Sequence, residues 1–132
     1  MTPPLTGVDH VGIVVADLEA ASRFLEGVLG LAPAFRADSA QFRTAFFDCG
    51  ATRIEALEPV DDATRAERLA DAPARIDHVA FAVADLDRAV AELAARGVEV
   101  TAEAVSDGRR TCWTVPATSG GLIYQLIESR AT

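Results

Sequence analysis

The two histidines of this chain, His10 and His78, occupy the same place in a repeated sequence. The segments VDHVGIVVADLEAA (8–21) and IDHVAFAVADLDRA (76–89) lie 68 residues apart and are identical at eight of fourteen positions. A repeat at about half the length of the chain predicts two similar modules. Two imidazoles at equivalent positions of two modules are a favourable start for a metal site, because neutral histidine is a common metal ligand.

Glu55 and Gln125 extend this repeat to the end of each module. They fall at matching positions of the closing segments RIEALE (53–58) and IYQLIE (123–128). The repeat therefore predicts a four-residue metal site of His10, Glu55, His78 and Gln125. Two imidazoles, one carboxylate and one amide oxygen suit a divalent ion such as Zn²⁺, Ni²⁺, Co²⁺, Mn²⁺ or Fe²⁺. An ion with one carboxylate ligand keeps net positive charge, which favours an enolate or alkoxide forming beside it.

The histidine segments themselves are predicted to be strands that open each module. Side chains alternate between the two faces of a strand, so each histidine shares a face with the residues two and four positions later. These residues are mostly small in both copies and would leave room beside the imidazole. Asp9 and Asp77, which precede the histidines, face the other way and are interpreted as structural residues.

Helix signals follow both opening strands. Asp17 and Asp85 are predicted N-caps of helices over 18–29 and 86–96, which end before Gly30 and Gly97. The remaining strands are predicted at 31–36, 42–48 and 52–58 in the first module and at 98–103, 109–115 and 121–128 in the second. Each module therefore reads βαβββ.

The chain is predicted to be one α+β domain over residues 1–132, as expected for this length. Module one covers about 7–59, a linker with a short helix about 60–75, and module two about 76–128. Whether the modules pair within one chain or across a dimer is left open by the sequence.

Composition narrows the class of function. The net charge is −8, and all twelve basic residues are arginine. An acidic chain argues against a nucleic-acid partner, and the absence of lysine excludes a lysine Schiff base or a P-loop. No apolar run approaches the roughly 20 residues of a membrane span, and the start MTPPLTG has no basic n-region, so we expect a cytoplasmic protein. The predicted metal site leads us to expect a small-molecule substrate.

The motifs that surround the four site residues resemble the vicinal oxygen chelate superfamily, which has the glyoxalase fold. The resemblance covers nearly the whole chain and includes the paired D-H-V and A-D-L segments, VLGL (28–31), RGVEV (96–100) and SGGLIYQLIE (119–128). It implies paired βαβββ modules that form a curved mixed sheet around a divalent metal, often in homodimers. The metal positions of the family fall on His10, Glu55, His78 and Gln125.

Within the superfamily, IEALEP (54–59) and PATSGGLIYQL (116–126) are most similar to methylmalonyl-CoA epimerases. That likeness implies an isomerase or epimerase that acts at the α-carbon of a carbonyl compound. Two departures matter. The epimerases usually carry Glu where this chain has Gln125. Their second acid/base Glu aligns with Thr44, and Gln41 or Asp48 would lie nearby if the register slips. A one-base reaction follows, in which Glu55 both binds the metal and moves the proton.

Three other functions remain open from the sequence. A lyase of the glyoxalase I type would use the same metal and proton chemistry. Two histidines and one carboxylate are also the ligand set of Fe²⁺ oxygenases, which iron content and O₂ consumption would reveal. A binding protein that sequesters an antibiotic or other small molecule would need no metal.

Two sets of side chains bear on these alternatives. The binding protein would have a groove lined by aromatic residues, although strand aromatics more often belong to the core. The candidates for this groove are Phe42, Phe46, Phe47, Trp113 and Tyr124. No CoA-binding motif is visible, and single arginines do not by themselves identify a phosphate site. Arg43, Arg109 and Arg110 are therefore interpreted as surface or strand-pairing residues.

Overall fold

The computed structural model describes residues 4–130. Within this range the chain forms eight β-strands, three α-helices and one short 3-10 helix at Pro116–Thr118. The strands are β1 (Leu5–Val15), β2 (Ala32–Arg36), β3 (Phe42–Cys49), β4 (Thr52–Pro59), β5 (Ala74–Val83), β6 (Ala104–Ser106), β7 (Arg109–Trp113) and β8 (Ile123–Glu128). The helices are α1 (Leu18–Gly27), α2 (Asp62–Arg68) and α3 (Leu86–Ala94).

The chain divides into two compact units. One unit is His10–Asp77, and the other joins the segment up to Asp9 with the segment from His78 onward. In the His10–Asp77 unit the strand order is β2-β3-β4-β1, with β1 parallel to β4 and the other pairs antiparallel. In the other unit the order is β5-β8-β7-β6, with β5 parallel to β8 and the other pairs antiparallel. The predicted α+β fold of two repeated modules is confirmed.

The strand register follows the sequence repeat closely. Glu55 lies opposite Gly12 on β1, and Gln125 lies opposite Ala80 on β5. On the antiparallel side, Glu55 pairs with Phe46, whereas Gln125 pairs with Trp113. Glu55 and Gln125 therefore occupy equivalent positions in the strand pairing of their units, as their alignment in the sequence predicts.

The predicted helix starts are confirmed by their caps. The side chains of Asp17 and Asp85 accept hydrogen bonds from the backbone N–H groups of Ala20 and Arg88, at 3.1 and 3.0 Å. These bonds satisfy donors that the first turn of a helix leaves without a partner. Both helices end slightly earlier than predicted, and the chain then turns at Gly30 and Gly97, whose φ angles of 76° and 82° favour glycine.

The strand predicted at 98–103 is wrong, since the strand beside β7 is the shorter β6. Over 98–103 the chain still runs near β7, with a single bridge between Val100 and Thr114. Side-chain hydroxyls take the place of further ladder bonds there. The Trp113 N–H donates to the Thr101 hydroxyl at 3.0 Å, and the Glu99 N–H donates to the Thr118 hydroxyl, also at 3.0 Å. Such local bonds compete with regular sheet pairing.

Helices α1 and α3 each pack on one face of the strands in their own unit. Helix α1 packs Leu18 and Leu25 on Phe47 and Ala56, and α3 packs Leu86 and Ala89 around Leu126. These contacts bury the strand residues that alternate with the histidines and their partners. The opposite sheet faces therefore carry His10 with Glu55 and His78 with Gln125.

Among residues 4–130, no helix combines the length and the apolar character that crossing a bilayer requires.

Candidate metal centre

His10 and Glu55 come together on neighbouring parallel strands. The His10 Nε2 atom lies 3.4 Å from Glu55 Oε1, and their side chains are 4% and 14% exposed. Glu55 is therefore largely buried and is not a solvent-facing strand residue. Both side chains are thus largely removed from bulk water. Polar groups in such an environment need specific partners within the protein.

The separation of these two atoms fits two ligands of one ion. A charge-assisted hydrogen bond between nitrogen and oxygen is about 2.7–2.9 Å long, which is shorter than the observed 3.4 Å. Two ligand atoms at about 2.1 Å from a tetrahedral ion lie about 3.4 Å apart. Imidazole nitrogen and carboxylate oxygen are also ligand types that zinc and related ions accept, so the pair fits a divalent metal.

An aromatic ring lies beside the His10–Glu55 pair, and a second ring stacks on the first. The ring of Phe46, the antiparallel partner of Glu55, meets the His10 imidazole edge-to-face with centroids 5.8 Å apart. Phe35 stacks on Phe46 at 4.4 Å, and the Arg53 guanidinium lies 5.1 Å from the Phe35 centroid. Phe46 is buried and pairs with Glu55 across β3 and β4, so it places an apolar ring next to both members of the pair.

His78 and Gln125 form the corresponding pair in the other unit. They lie on the neighbouring parallel strands β5 and β8, and the two residues are 6% and 3% exposed. The Gln125 amide nitrogen donates to the Thr111 hydroxyl at 2.9 Å, and that hydroxyl donates to the Leu126 carbonyl at 2.7 Å. Each unit thus presents one buried histidine with one oxygen-bearing side chain on the adjacent strand.

The aspartates that precede the histidines make buried ion pairs within their units. Asp9 receives two hydrogen bonds from the Arg109 guanidinium, at 2.7 and 3.2 Å, and Asp77 binds Arg68 through both carboxylate oxygens. Their side chains are 4% and 6% exposed. Binding to Asp77 raises the pKa of the Arg68 guanidinium. These contacts support a structural role for both aspartates.

Three residues of β7 can be compared with the roles that the sequence analysis gave them. Arg109 fits the strand-pairing alternative, since it pairs with Ser106 of β6, but its side chain is only 12% exposed and also binds Asp9. Arg110 is exposed and contacts Asp87 and Glu103, as expected of a surface arginine. The role of Thr111 was missed, although the match of RTCW (110–113) with RTAF (43–46) marked its position as part of the repeat.

The aromatic residues that a binding groove would need are mostly in the core. Phe42, Phe46 and Phe47 are 7%, 6% and 1% exposed. Tyr124 stacks on Phe81 with centroids 5.9 Å apart. Apolar packing, and not an open aromatic groove, accounts for these side chains.

Comparison with known structures finds close similarity over the whole chain. The structure of methylmalonyl-CoA epimerase from Mycobacterium tuberculosis is 27% identical, with a TM-score of 0.89, over 99% of this chain and 93% of that one. Streptomyces coelicolor methylmalonyl-CoA epimerase in complex with 2-nitronate-propionyl-CoA is 28% identical, with a TM-score of 0.84, over 96% and 99% of the two chains. A methylmalonyl-CoA epimerase in complex with methylmalonyl-CoA and NH₄⁺ is 29% identical, with a TM-score of 0.83, over 96% of each chain. By sequence, no curated protein matches this chain.

The family follows from a separate match. The family model of the glyoxalase/bleomycin resistance protein/dioxygenase superfamily matches residues 9–115, which is most of the chain. This match agrees with the glyoxalase-like fold that the structural neighbours share. The chain belongs to the glyoxalase/bleomycin resistance protein/dioxygenase superfamily.

Proposed function

We propose that this protein is a metal-dependent isomerase or epimerase that moves a proton at the α-carbon of a carbonyl compound. The observation that carries the proposal is the position of Glu55, a largely buried carboxylate 3.4 Å from His10 Nε2. The likeness to methylmalonyl-CoA epimerases over almost the entire chain supports this class of reaction. An acyl-CoA thioester, such as methylmalonyl-CoA, is accordingly the first substrate to test.

His10, Glu55, His78 and Gln125 would hold the metal in this proposal. The first three each offer a ligand atom of a type that divalent ions accept, and the amide oxygen of Gln125 is a fourth. When bound, such an ion supplies a Lewis acid that stabilises negative charge on the substrate's carbonyl oxygen.

Glu55 would act as the base. Its carboxylate takes the α-proton as the C–H bond breaks, and the electron pair moves onto the substrate's carbonyl oxygen. The same carboxylic acid then returns a proton to carbon. The buried ring of Phe46, the strand partner of Glu55, would limit the access of bulk water to the carboxylate. Gln125 has no titratable proton, so Glu55 is the carboxylate among the four residues that can carry out this transfer.

Proton exchange tests the proposal directly. Metal-free protein loaded in turn with Co²⁺, Ni²⁺, Mn²⁺ or Zn²⁺ is incubated with methylmalonyl-CoA in D₂O, and deuterium at the α-carbon is followed by mass spectrometry. We expect at least one loaded form to incorporate deuterium well above the metal-free protein and the uncatalysed background. Since a simple exchange assay does not require inversion, it detects one-base chemistry as well as epimerisation. Exchange no faster than background with every metal would overturn the activity for this substrate.

Metal content provides an independent prediction. Elemental analysis of protein purified under metal-replete conditions is expected to find about one divalent ion per chain. His10→Ala is expected to lose most of this metal, because the variant removes one of the two imidazole ligands, the one that lies beside Glu55. Circular dichroism controls for folding of the variant. A metal-free wild-type protein would instead favour the binding-protein alternative.

The sequence-based expectations of a homodimer and of a cytoplasmic location stay predictions. They are independent of the exchange and metal measurements.

A further inference from the structure

Thr111 holds the amide of Gln125 in one orientation. Thr111 is fully buried on β7, and its hydroxyl donates to the Leu126 carbonyl at 2.7 Å. A hydroxyl has a single hydrogen, so Thr111 can only accept from Gln125. The group that faces Thr111 at 2.9 Å must therefore be the amide nitrogen of Gln125. The carbonyl oxygen then occupies the other end of the amide, away from Thr111.

This orientation matters because the two ends of an amide differ chemically while having nearly the same shape. The carbonyl oxygen has lone pairs that can bind a cation, whereas the NH₂ group only donates hydrogen bonds. A glutamine that turned by 180° would present its NH₂ group where a ligand oxygen is needed. A partner that accepts from the nitrogen, and cannot donate to the oxygen, removes this ambiguity.

The corresponding threonine in the other unit provides a contrast. Thr44 pairs with Leu57 as Thr111 pairs with Ile127, and the two threonines are 4% and 0% exposed. Between residues 4 and 130, however, the Thr44 hydroxyl forms no hydrogen bond. Its unit carries Glu55, whose two carboxylate oxygens are chemically equivalent. A carboxylate needs no such selection, whereas the amide of Gln125 does.

We propose that Thr111 is a positioning residue that selects the carbonyl oxygen of Gln125 as a metal ligand. This inference rests on the proposed function, because it assumes that Gln125 binds the metal. Substituting a residue that orients a ligand typically weakens metal binding 10–100-fold. The effect of Thr111 should depend on whether position 125 carries an amide or a carboxylate.

The test is a Co²⁺ titration of metal-free protein, followed by visible absorption. Thr111→Val keeps the shape of the side chain but removes the hydroxyl, and we expect about 10-fold weaker Co²⁺ binding with an altered spectrum. Thr111→Ser restores the hydroxyl and should restore both. Thr44→Val, the matched control at the equivalent register position, should leave both unchanged. In a Gln125→Glu background, Thr111→Val should have a much smaller effect, because both ends of the ligand are then oxygen.

A second readout does not need the metal. The side-chain amide of Gln125, assigned by comparison with Gln125→Glu, should exchange its hydrogens slowly with solvent in nitrogen-15 spectra of the metal-free protein. Thr111→Val should accelerate this exchange. Should that variant not fold, Thr111→Ala allows the same comparison.

The outcomes separate the two proposals. Wild-type protein that binds none of the divalent metals overturns the metal-dependent function, and the nitrogen-15 spectra still decide whether Thr111 orients Gln125. Wild-type protein that binds Co²⁺, together with Thr111→Val that binds it equally well, overturns the role of Thr111 alone. Unchanged amide exchange in Thr111→Val also overturns that role.

Discussion

Replacing Glu55 with glutamine is expected to lower the rate of α-proton exchange by about 10²–10⁴-fold, the usual contribution of a general base. The amide that replaces the carboxylate cannot take up a proton at neutral pH. Its carbonyl oxygen can still bind a metal, and the variant makes the ligand of β4 chemically the same as that of β8. Metal is therefore expected to remain bound, although more weakly, because the negative charge is lost.

Glu58→Gln is the matched control for this variant. Glu58 lies three residues further along β4 and accepts a hydrogen bond from the Leu18 N–H at 2.8 Å. Glutamine can keep this bond through its carbonyl oxygen, so the same change of charge on the same strand should leave exchange nearly unaffected. Deuterium incorporation and metal content are measured for both variants. A Glu55→Gln protein that holds its metal and exchanges at the wild-type rate would remove Glu55 as the base.

The second large effect concerns stability. Arg109→Met is expected to lower the free energy of unfolding by about 3–5 kcal/mol, because it leaves the buried carboxylate of Asp9 without its main partner. Arg109 also donates to the Glu128 carbonyl at 3.0 Å, and this bond is lost as well. Methionine keeps much of the aliphatic volume of arginine, so the loss reflects charge and hydrogen bonding more than packing. Urea denaturation monitored by circular dichroism measures the change.

Arg110→Met is the natural control for this variant. Arg110 is the next residue on β7, and its ion pairs with Asp87 and Glu103 are at the surface. Surface pairs contribute little to stability, so this variant should unfold close to the wild-type midpoint. In Asp9→Asn/Arg109→Met the buried charge is absent, and part of the lost stability should return. Equal midpoints for the two single variants would contradict the buried-pair interpretation.

The sequence repeat predicted the elements that carry the site more reliably than it predicted the contacts around them. The equivalence of Glu55 and Gln125 could be derived from two aligned strands, because a repeated sequence with alternating side chains leads to a repeated register. The correct caps at Asp17 and Asp85 have a similarly local cause. Such features depend on residues that are close in sequence or that occupy matching positions of the two repeats.

The contacts that escaped prediction depend on residues far apart in sequence. Asp9 and Arg109 are separated by 100 residues, and nothing in the composition of either segment identifies the other as its partner. The hydroxyls of Thr101 and Thr118 replace strand pairing over 98–103 only because the fold brings the right N–H groups to them. The orientation of Gln125 likewise depends on which bond the Thr111 hydroxyl already makes.

The position at which the chain passes between its two units has a consequence for dissecting the protein. It crosses from one unit to the other at Asp9–His10 and again at Asp77–His78, in the middle of β1 and of β5. Residues 5–9, which begin the chain's first strand, therefore belong with the C-terminal segment. Thr6, for example, contacts Ser129 through their hydroxyls at 2.9 Å. A cut in the linker between the two sequence repeats would yield fragments that each lack part of their own unit. Neither sequence repeat alone therefore contains a complete unit, because the boundaries of the repeats differ from the boundaries of the units.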